Sequence, residues 1–349
     1  MAEPVQVCIT ILSSFLVAYV ATPALRILAV RLKIVDMPDA RKIHRKVMPL
    51  LGGAAIYLGL IAGLALNPKS ACLYLPLLVG STMIFLLGLA DDIWKLSAQF
   101  RLLVQIIAAY IVIIFGQRIE FLPHGIYWDA LEIVITLFWI VGVTNACNYL
   151  DGMDGLATGS AAINLFFFAV ILFKTGQSQI ALLSVALMAS CLGFLPYNFK
   201  HAKIFLGDAG STLLGFTIAS IATTGSWAED SIVKISIPIL ILGVPIFDMV
   251  FTTIMRIAQG RVKTFVEWLK YGGRDHFHHY LVELGLTRTG AVLFIYLVTF
   301  ALGLSALMVS RNSFIEAFFT LSQAAIIFII IGVLIVIGSR RQSGWTDEQ

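Results

Sequence analysis

Charge is scarce in this chain. Only 13% of its 349 residues are Asp, Glu, Lys or Arg, 59% are hydrophobic, and the mean hydropathy is +0.92. That is far more apolar surface than a water-soluble core of this length buries, which excludes a soluble globular domain. Cysteine is scarce too. Cys8, Cys72, Cys147 and Cys191 stand singly, without CxxC or paired spacing, so neither a disulfide framework nor a thiolate metal site is indicated, and they read as packing residues. No linker, low-complexity run or internal repeat divides the sequence, so residues 1–349 read as one integral-membrane domain. The first apolar run has no basic residue before it and no small-residue cleavage site after it, so residues 5–30 read as a retained span and not a signal peptide. The net charge of +4 comes from basic loops that suit an anionic leaflet of membrane lipid, with no case for nucleic acid.

What is present is a series of apolar segments close to bilayer-spanning length. They predict an all-α, polytopic membrane protein of about eleven transmembrane helices at roughly 5–30, 51–67, 71–90, 102–117, 130–147, 157–174, 179–198, 209–225, 233–256, 291–310 and 315–337. With the N-terminus outside, eighteen Lys and Arg residues fall on the opposite side and five on the same side, with Arg26 inside the first span. That bias makes the first group of loops cytoplasmic. An even span count would put Arg340-Arg341 on the wrong side.

Four polar clusters close the cytoplasmic ends of these segments. Asp91-Asp92 are adjacent carboxylates at the end of the third span, with Lys95 and Arg101 just beyond. Keeping them together at a membrane boundary calls for a cation or a role in proton transfer; read alone, they equally suit a solvated pair that stops a helix. Asn145, Asn148, Asp151 and Asp154 recur every three residues. On a helix the two asparagines share a face, and Gly152 and Gly155 predict that the helix unwinds there, letting carboxamides and carboxylates converge. Such oxygen donors suit Mg²⁺ or Mn²⁺, and no nearby His or Cys favours zinc. An asparagine- and glycine-rich turn is the plain alternative.

Asn198, Lys203, Gly207, Asp208 and Ser211 surround the start of the eighth span, where backbone N–H groups and the helix dipole favour a phosphate and Asp208 can hold its metal. A simple N-cap by Asp208 or Ser211 also fits. Asp275-His276-Phe-His278-His279 lies in the longest loop, and its imidazoles suit phosphates, zinc, or merely a surface cluster. His44, in the basic first cytoplasmic loop before Gly52-Gly53, either only sets topology or also reaches a phosphorylated substrate. Asp248 lies roughly 12 Å along its helix from Arg256 and must face the bundle interior, holding an Asn or a Lys.

The ordered set His44...Pro49...Gly52-Gly53, Asp91-Asp92...Leu96-Ser97...Arg101, Asn145...Asn148...Asp151-Gly-Met-Asp154, Phe205-Leu-Gly207-Asp208-Ala-Gly-Ser211 and Asp275-His276-Phe-His278-His279 resembles the polyprenyl-phosphate N-acetylhexosamine-1-phosphate transferases. These form glycosyl transferase family 4, and the likeness runs from about residue 35 to 290. The His-x-His-His pattern is similar to the WecA and TagO side of the family; the muramoyl-pentapeptide enzymes, typified by MraY, carry three consecutive histidines.

The resemblance implies transfer of a HexNAc-1-phosphate, GlcNAc-1-phosphate above all, from a UDP-sugar to undecaprenyl phosphate at the inner face of the plasma membrane. UMP is released, Mg²⁺ is required, and cell-envelope polysaccharide synthesis begins. It implies catalytic roles for Asp91, Asp92, Asp151, Asp154, Asp208, His278 and His279, and Mg²⁺ ligation by Asp208, Asn148 and Asp92. Substrate contacts fall to His44, Lys95, Arg101, Asn145, Asn148, Asn198, Lys203, Gly207, Ser211 and His276. A homodimer is compatible with the family. A peptidoglycan-precursor transferase is the alternative enzyme, and a secondary transporter is the non-enzyme alternative, although a transporter places its polar residues near the midplane in two repeated halves.

Overall fold

A computed structural model describes residues 2–37, 47–123, 125–271, 273, 275–310 and 314–346, which leaves the expectation for His44 outside the described residues. The chain is a helical bundle. Helix α1 (Ala2–Arg31) leads into a two-residue antiparallel pair, β1 (Val35–Asp36) and β2 (Met48–Pro49), with Val35 opposite Pro49. There follow α2 (Gly52–Ala65), the short α3 (Pro68–Leu73), α4 (Leu75–Trp94), α5 (Ala98–Ile114), α6 (Ile126–Tyr149), α7 (Leu156–Lys174), α8 (Ser178–Asn198) and α9 (Gly207–Thr224). The chain ends with α10 (Ser231–Ile241), α11 (Gly243–Ala258), two short helices α12 (Phe265–Lys270) and α13 (Phe277–Glu283), and the long α14 (Arg288–Val309) and α15 (Phe314–Thr346).

Every expected span is helical, but the spans are not alike. Among the described residues seven helices are long and apolar enough to cross a membrane, and α10 with α11 makes an eighth if a bent pair counts as one span. The expectation of one straight helix over 233–256 is corrected by a bend of 77° between them. Pro238 and Pro245 flank the break at Leu242, and each lacks the N–H that would continue the helical ladder. Helices α2 and α5 are apolar but shorter, and α9 is too polar to face lipid. It does not have to: every residue from Gly207 to Thr223 except Asp208 is buried. Its hydroxyls bond within the bundle, Ser211 Oγ to Gly207 O at 3.0 Å, Thr217 Oγ1 to Leu213 O at 2.8 Å, and Thr217 with Ser81 of α4 at 2.9 Å. Small residues let neighbours close in, and a Cβ at Gly88 of α4 would collide with the backbone of Asp208 and Ala209.

Helix α4 runs four residues past its expected end, so Asp91 and Asp92 sit inside its last turn and are buried. Helix α11 sorts its faces sharply. Asp248, Thr252 and Arg256, spaced four apart, are buried on one side, while Val250, Ile254 and Ile257 are exposed on the other. The segment before α9 is zipped against the start of α2, with Phe205 N–H donating to Pro49 O at 2.8 Å, Gly52 N–H to Phe205 O at 3.0 Å and Gly53 N–H to Leu206 O at 2.9 Å. This fixes the N-terminus of α9 at one end of the bundle, where the C-termini of α4, α6 and α8 also arrive.

Candidate active site

A cavity of about 570 Å³ opens at that end of the bundle. Six chain regions line it: Asp36 of β1 with Leu50 just after β2, Asp92 and Lys95 from the end of α4, Asn148 and Asp151 to Asp154 from the end of α6 and the turn after it, Asn198 to His201 with Phe205, Gly207 and Asp208 from the α8–α9 connection, His279 from α13, and Arg288, Thr289 and Val292 from the start of α14. The four polar clusters of the sequence therefore meet in one place.

Asp208, in the first turn of α9, is gripped from two other helices. Asn148 Nδ2 donates to its Oδ1 at 2.7 Å and to Ser211 Oγ at 2.8 Å. Asp92 holds the backbone, its Oδ1 accepting the N–H of Asp208 at 3.0 Å and its Oδ2 that of Ala209 at 3.1 Å. Leu206, at the N-cap position of α9, provides no side-chain cap, so a carboxylate from α4 satisfies the free N–H groups and sits at the positive end of the helix dipole. Asp91 stands behind the cavity wall. Its Oδ1 accepts the N–H of Leu96 at 2.6 Å, and its Oδ2 accepts Arg101 Nη1 at 2.8 Å, which brings that guanidinium to 4.0 Å from Asp208.

The turn after α6 unwinds as its glycines lead one to expect, and its two carboxylates diverge in use. Asp154 Oδ2 accepts the N–H of Ala202 at 2.9 Å and pins the α8–α9 connection. Asp151 faces the cavity with its carboxyl pushed well above the usual range, first by burial and then by the charges of Asp208, Asp92 and Asp154. Asn145 points elsewhere, bonding Gln105 Oε1 and Val141 O at 2.8 Å each. Asn198 is a buried strut that accepts Thr158 Oγ1 at 3.1 Å and donates to Ile204 O at 3.2 Å. Ser211 is buried behind Asn148, and Lys203 is exposed outside the cavity lining.

The histidines separate as well. His276 is buried, with Nδ1 2.9 Å from Asp248 Oδ2 and Nε2 3.3 Å from Arg256 Nη2. A guanidinium only donates, so Nε2 accepts and the ring proton lies on Nδ1, directed at Asp248. The partner expected for Asp248, an Asn or a Lys, is thus a histidine 28 residues away. Asp248 Oδ1 also accepts the N–H of Phe277 at 2.6 Å. Arg256 donates to both oxygens of Asp275 at 2.9 and 2.7 Å and lies over the Tyr271 ring. Burial pushes the Asp275 carboxyl up, but those two hydrogen bonds and the Arg256 charge prevail and hold it below the usual range. His278 is wholly buried, its ring against Gly152 and tilted by 47° to that of His279, with centroids 4.2 Å apart. Burial, then the neighbouring His279, pushes its pKa down to about 3, which leaves the ring neutral. Only His279 of the three lines the cavity.

Lys200 and His201, within the phosphate-favouring segment before α9, also line the cavity, as do Arg288 and Thr289, which no sequence pattern singles out. Thr287, whose Oγ1 accepts the N–H of Gly290 at 3.1 Å as the N-cap of α14, is a readable signal that Arg288 begins a helix.

The side chains suit a hard cation in kind. The cavity offers carboxylate and carboxamide oxygens, and the Asp151 carboxyl is pushed up by burial first and then by the charges of Asp208, Asp92 and Asp154. Among the described residues no three acidic, histidine or cysteine side chains are drawn together as a metal cage. Mg²⁺, which takes one or two carboxylates and completes its shell with water and substrate phosphates, does not need such a cage. Asp208 and Asp151 line the cavity, whereas Asp92 and Asp154, which also line it, are engaged by backbone N–H groups.

Comparison with known proteins places the chain among transferases. The family model "Glycosyl transferase family 4" matches residues 74–226. A "Probable undecaprenyl-phosphate N-acetylglucosaminyl 1-phosphate transferase" of Bacillus subtilis is 36% identical over 333 residues, covering 94% of this chain and 90% of its own. A "Decaprenyl-phosphate N-acetylglucosaminephosphotransferase" of Mycobacterium leprae is 32% identical, covering 82% of this chain and 79% of its own. The "Undecaprenyl-phosphate alpha-N-acetylglucosaminyl 1-phosphate transferase" of Escherichia coli K12 is 26% identical, covering 89% and 86%.

Proposed function

The chain belongs to glycosyl transferase family 4, and from that membership and the geometry of its cavity we propose that it transfers GlcNAc-1-phosphate from UDP-GlcNAc to undecaprenyl phosphate. An oxygen of the lipid phosphate becomes bonded to the sugar-proximal phosphorus, the bond from that phosphorus to the bridging oxygen breaks, and UMP leaves with that oxygen. The product is a lipid diphosphate sugar, the first unit of a cell-envelope polysaccharide. The observation that carries the reading is Asp208, the one residue between Gly207 and Thr223 that is not buried, held by Asn148 and Asp92 at the edge of the cavity.

Both substrates are anions, one delivered through the bilayer and the other from water, so they meet only at a polar site on a membrane surface. Phosphoryl transfer asks for alignment and charge neutralisation more than for a strong base. Asp208 and Asp151 would hold Mg²⁺, which would supply that neutralisation when bound. Asn148 fixes the Asp208 carboxylate, and Asp92 fixes the helix that carries it. Asp91 aims Arg101 toward Asp208. Exposed apolar side chains, Trp94, Phe100 and Leu103, surround that guanidinium in sequence, which suits the phosphate of a lipid. The loop bias of basic residues supports a cytoplasmic position for the cavity in the plasma membrane.

The relatives' names favour GlcNAc transfer over the peptidoglycan-precursor reaction, and polar groups gathered at one end of the bundle do not suit a transporter. The test is UMP release by the purified full chain given undecaprenyl phosphate, Mg²⁺ and a panel of UDP-sugars, UDP-MurNAc-pentapeptide among them. Release with UDP-GlcNAc that needs the lipid and is abolished in Asp208→Ala supports the reading; folded protein that releases no UMP from any donor overturns it.

A further inference from the structure

Three side chains are among those of the cavity that have no part in the reaction as proposed. They are Lys200 and His201 in the α8–α9 connection, and Arg288 in the first turn of α14. Lys200 and His201 have φ of 48° and 69°. Two successive non-glycine residues in the left-handed region are costly, and they persist only when their surroundings fix them. Here the surroundings do. Asp154 Oδ2 accepts the N–H of Ala202 at 2.9 Å, Lys203 N–H donates to Tyr197 O at 2.8 Å, Asn198 Nδ2 donates to Ile204 O at 3.2 Å, and Phe205 N–H donates to Pro49 O at 2.8 Å. The loop is tied at both ends, and both side chains border the cavity while remaining open to solvent.

Arg288 reaches the same place from the other side of the chain. Arg288, Val292 and Tyr296 follow one another at intervals of four on α14 and share a face. Tyr296 donates its hydroxyl to Gly155 O at 2.6 Å and stacks on Phe199 with ring centroids 6.3 Å apart. That face is therefore turned to the α8–α9 connection, with Arg288 roughly 12 Å further along the helix toward its start. Among the described residues, none of the three side chains has an ion-pair partner. They stand in one cavity with Asp36, Asp92, Asp151, Asp154 and Asp208, carboxyl groups that, where ionised, repel any phosphate not met by positive groups.

We propose that Lys200, His201 and Arg288 form a clasp for the diphosphate of the nucleotide donor. The assignment rests on the function proposed for the cavity and divides its two anions. Arg101 stands beside exposed apolar residues and serves the lipid phosphate, whereas the clasp comes from a solvent-exposed loop and the exposed first residue of a helix and serves the substrate that arrives from water.

The experiment uses the full-length enzyme with Lys200→Gly and Arg288→Gln, measuring both KM values, binding of uridine and of UDP by calorimetry, and thermal unfolding. Each variant is expected to raise KM for UDP-GlcNAc about 10-fold or more, to weaken UDP but not uridine, and to leave KM for undecaprenyl phosphate unchanged. Glycine adopts positive φ freely, so Lys200→Gly is expected to unfold at the same temperature as the wild type or higher. An unchanged donor KM overturns the clasp, as does a rise in the lipid KM instead. A lower unfolding temperature in Lys200→Gly with both KM values and kcat shifted together would mark the loop as structural and also overturn it. Wild-type protein that turns over no UDP-sugar would overturn the function itself, and that result precedes any variant.

Discussion

Asp92 accepts the backbone N–H of Asp208 with one carboxylate oxygen and that of Ala209 with the other, at 3.0 and 3.1 Å, although Asp92 and Asp208 lie 116 residues apart. A residue expected to bind metal is thereby committed to holding a helix end. Asp92→Ala leaves two N–H groups without a partner in a buried setting and is expected to destabilise the protein by about 1–3 kcal/mol. Asp92→Asn keeps one acceptor and is expected to lose less stability while still impairing UMP release. Thermal unfolding in detergent, paired with the release assay, separates the two effects.

His278 makes stability depend on acidity. Its pKa in the folded chain is about 3, below the ordinary value of about 6.5, so the unfolded chain takes up the proton first as pH falls. The neutral ring's contribution is complete above pH 6.5 and is lost toward pH 3. Between about pH 6.5 and pH 5 this amounts to about 2 kcal/mol. In His278→Gln that part of the pH dependence is expected to disappear, and equal slopes in the two proteins would contradict the buried neutral ring.

Gly152 and His278 are a second long-range pair, since a Cβ at Gly152 would occupy the place of the imidazole. Gly152→Ala is expected to cost about 1–3 kcal/mol by overpacking. Adding His278→Ala opens the space again, so the double variant is expected to be more stable than the sum of the two single losses. Simple additivity in thermal unfolding would contradict the contact.

Arg256 and Asp275 form a buried, doubly hydrogen-bonded pair, with Arg261 3.6 Å from the same carboxylate. Removing the guanidinium strands a buried charge, and Arg256→Met is expected to cost about 3–5 kcal/mol. Without its main partner the Asp275 carboxyl rises, so the folded variant keeps a proton that the unfolded chain releases. The deficit in thermal unfolding is therefore expected to be larger at about pH 8 than at about pH 5.

The helical plan is legible in the sequence because the apolar lengths and the charges that end them are local signals, and the meeting of the four polar clusters follows from the same threading. Pairings across the sequence are not legible. Asp248 announces by its burial that it needs a partner, but its position names only neighbours along the helix and not His276. Lys203 draws the eye before Lys200 and His201 because nothing in the residue types reveals the left-handed turn that puts the latter two against the cavity. The break at Leu242 has a signal in Pro238 and Pro245, since two prolines so close together rarely continue one straight helix.

Helix α9 is rich in Ser and Thr, and all of it but Asp208 and its last residue is hidden from solvent and lipid alike. Such a segment gains little by leaving water alone, and each of its hydroxyls raises the cost of solitary insertion into a bilayer. Its neighbours make the bilayer habitable for it. During biosynthesis α9 must therefore settle against α2, α4 and α6 as they assemble, and the floor of the cavity is a product of that assembly, in place only once helices far apart in the chain have found one another.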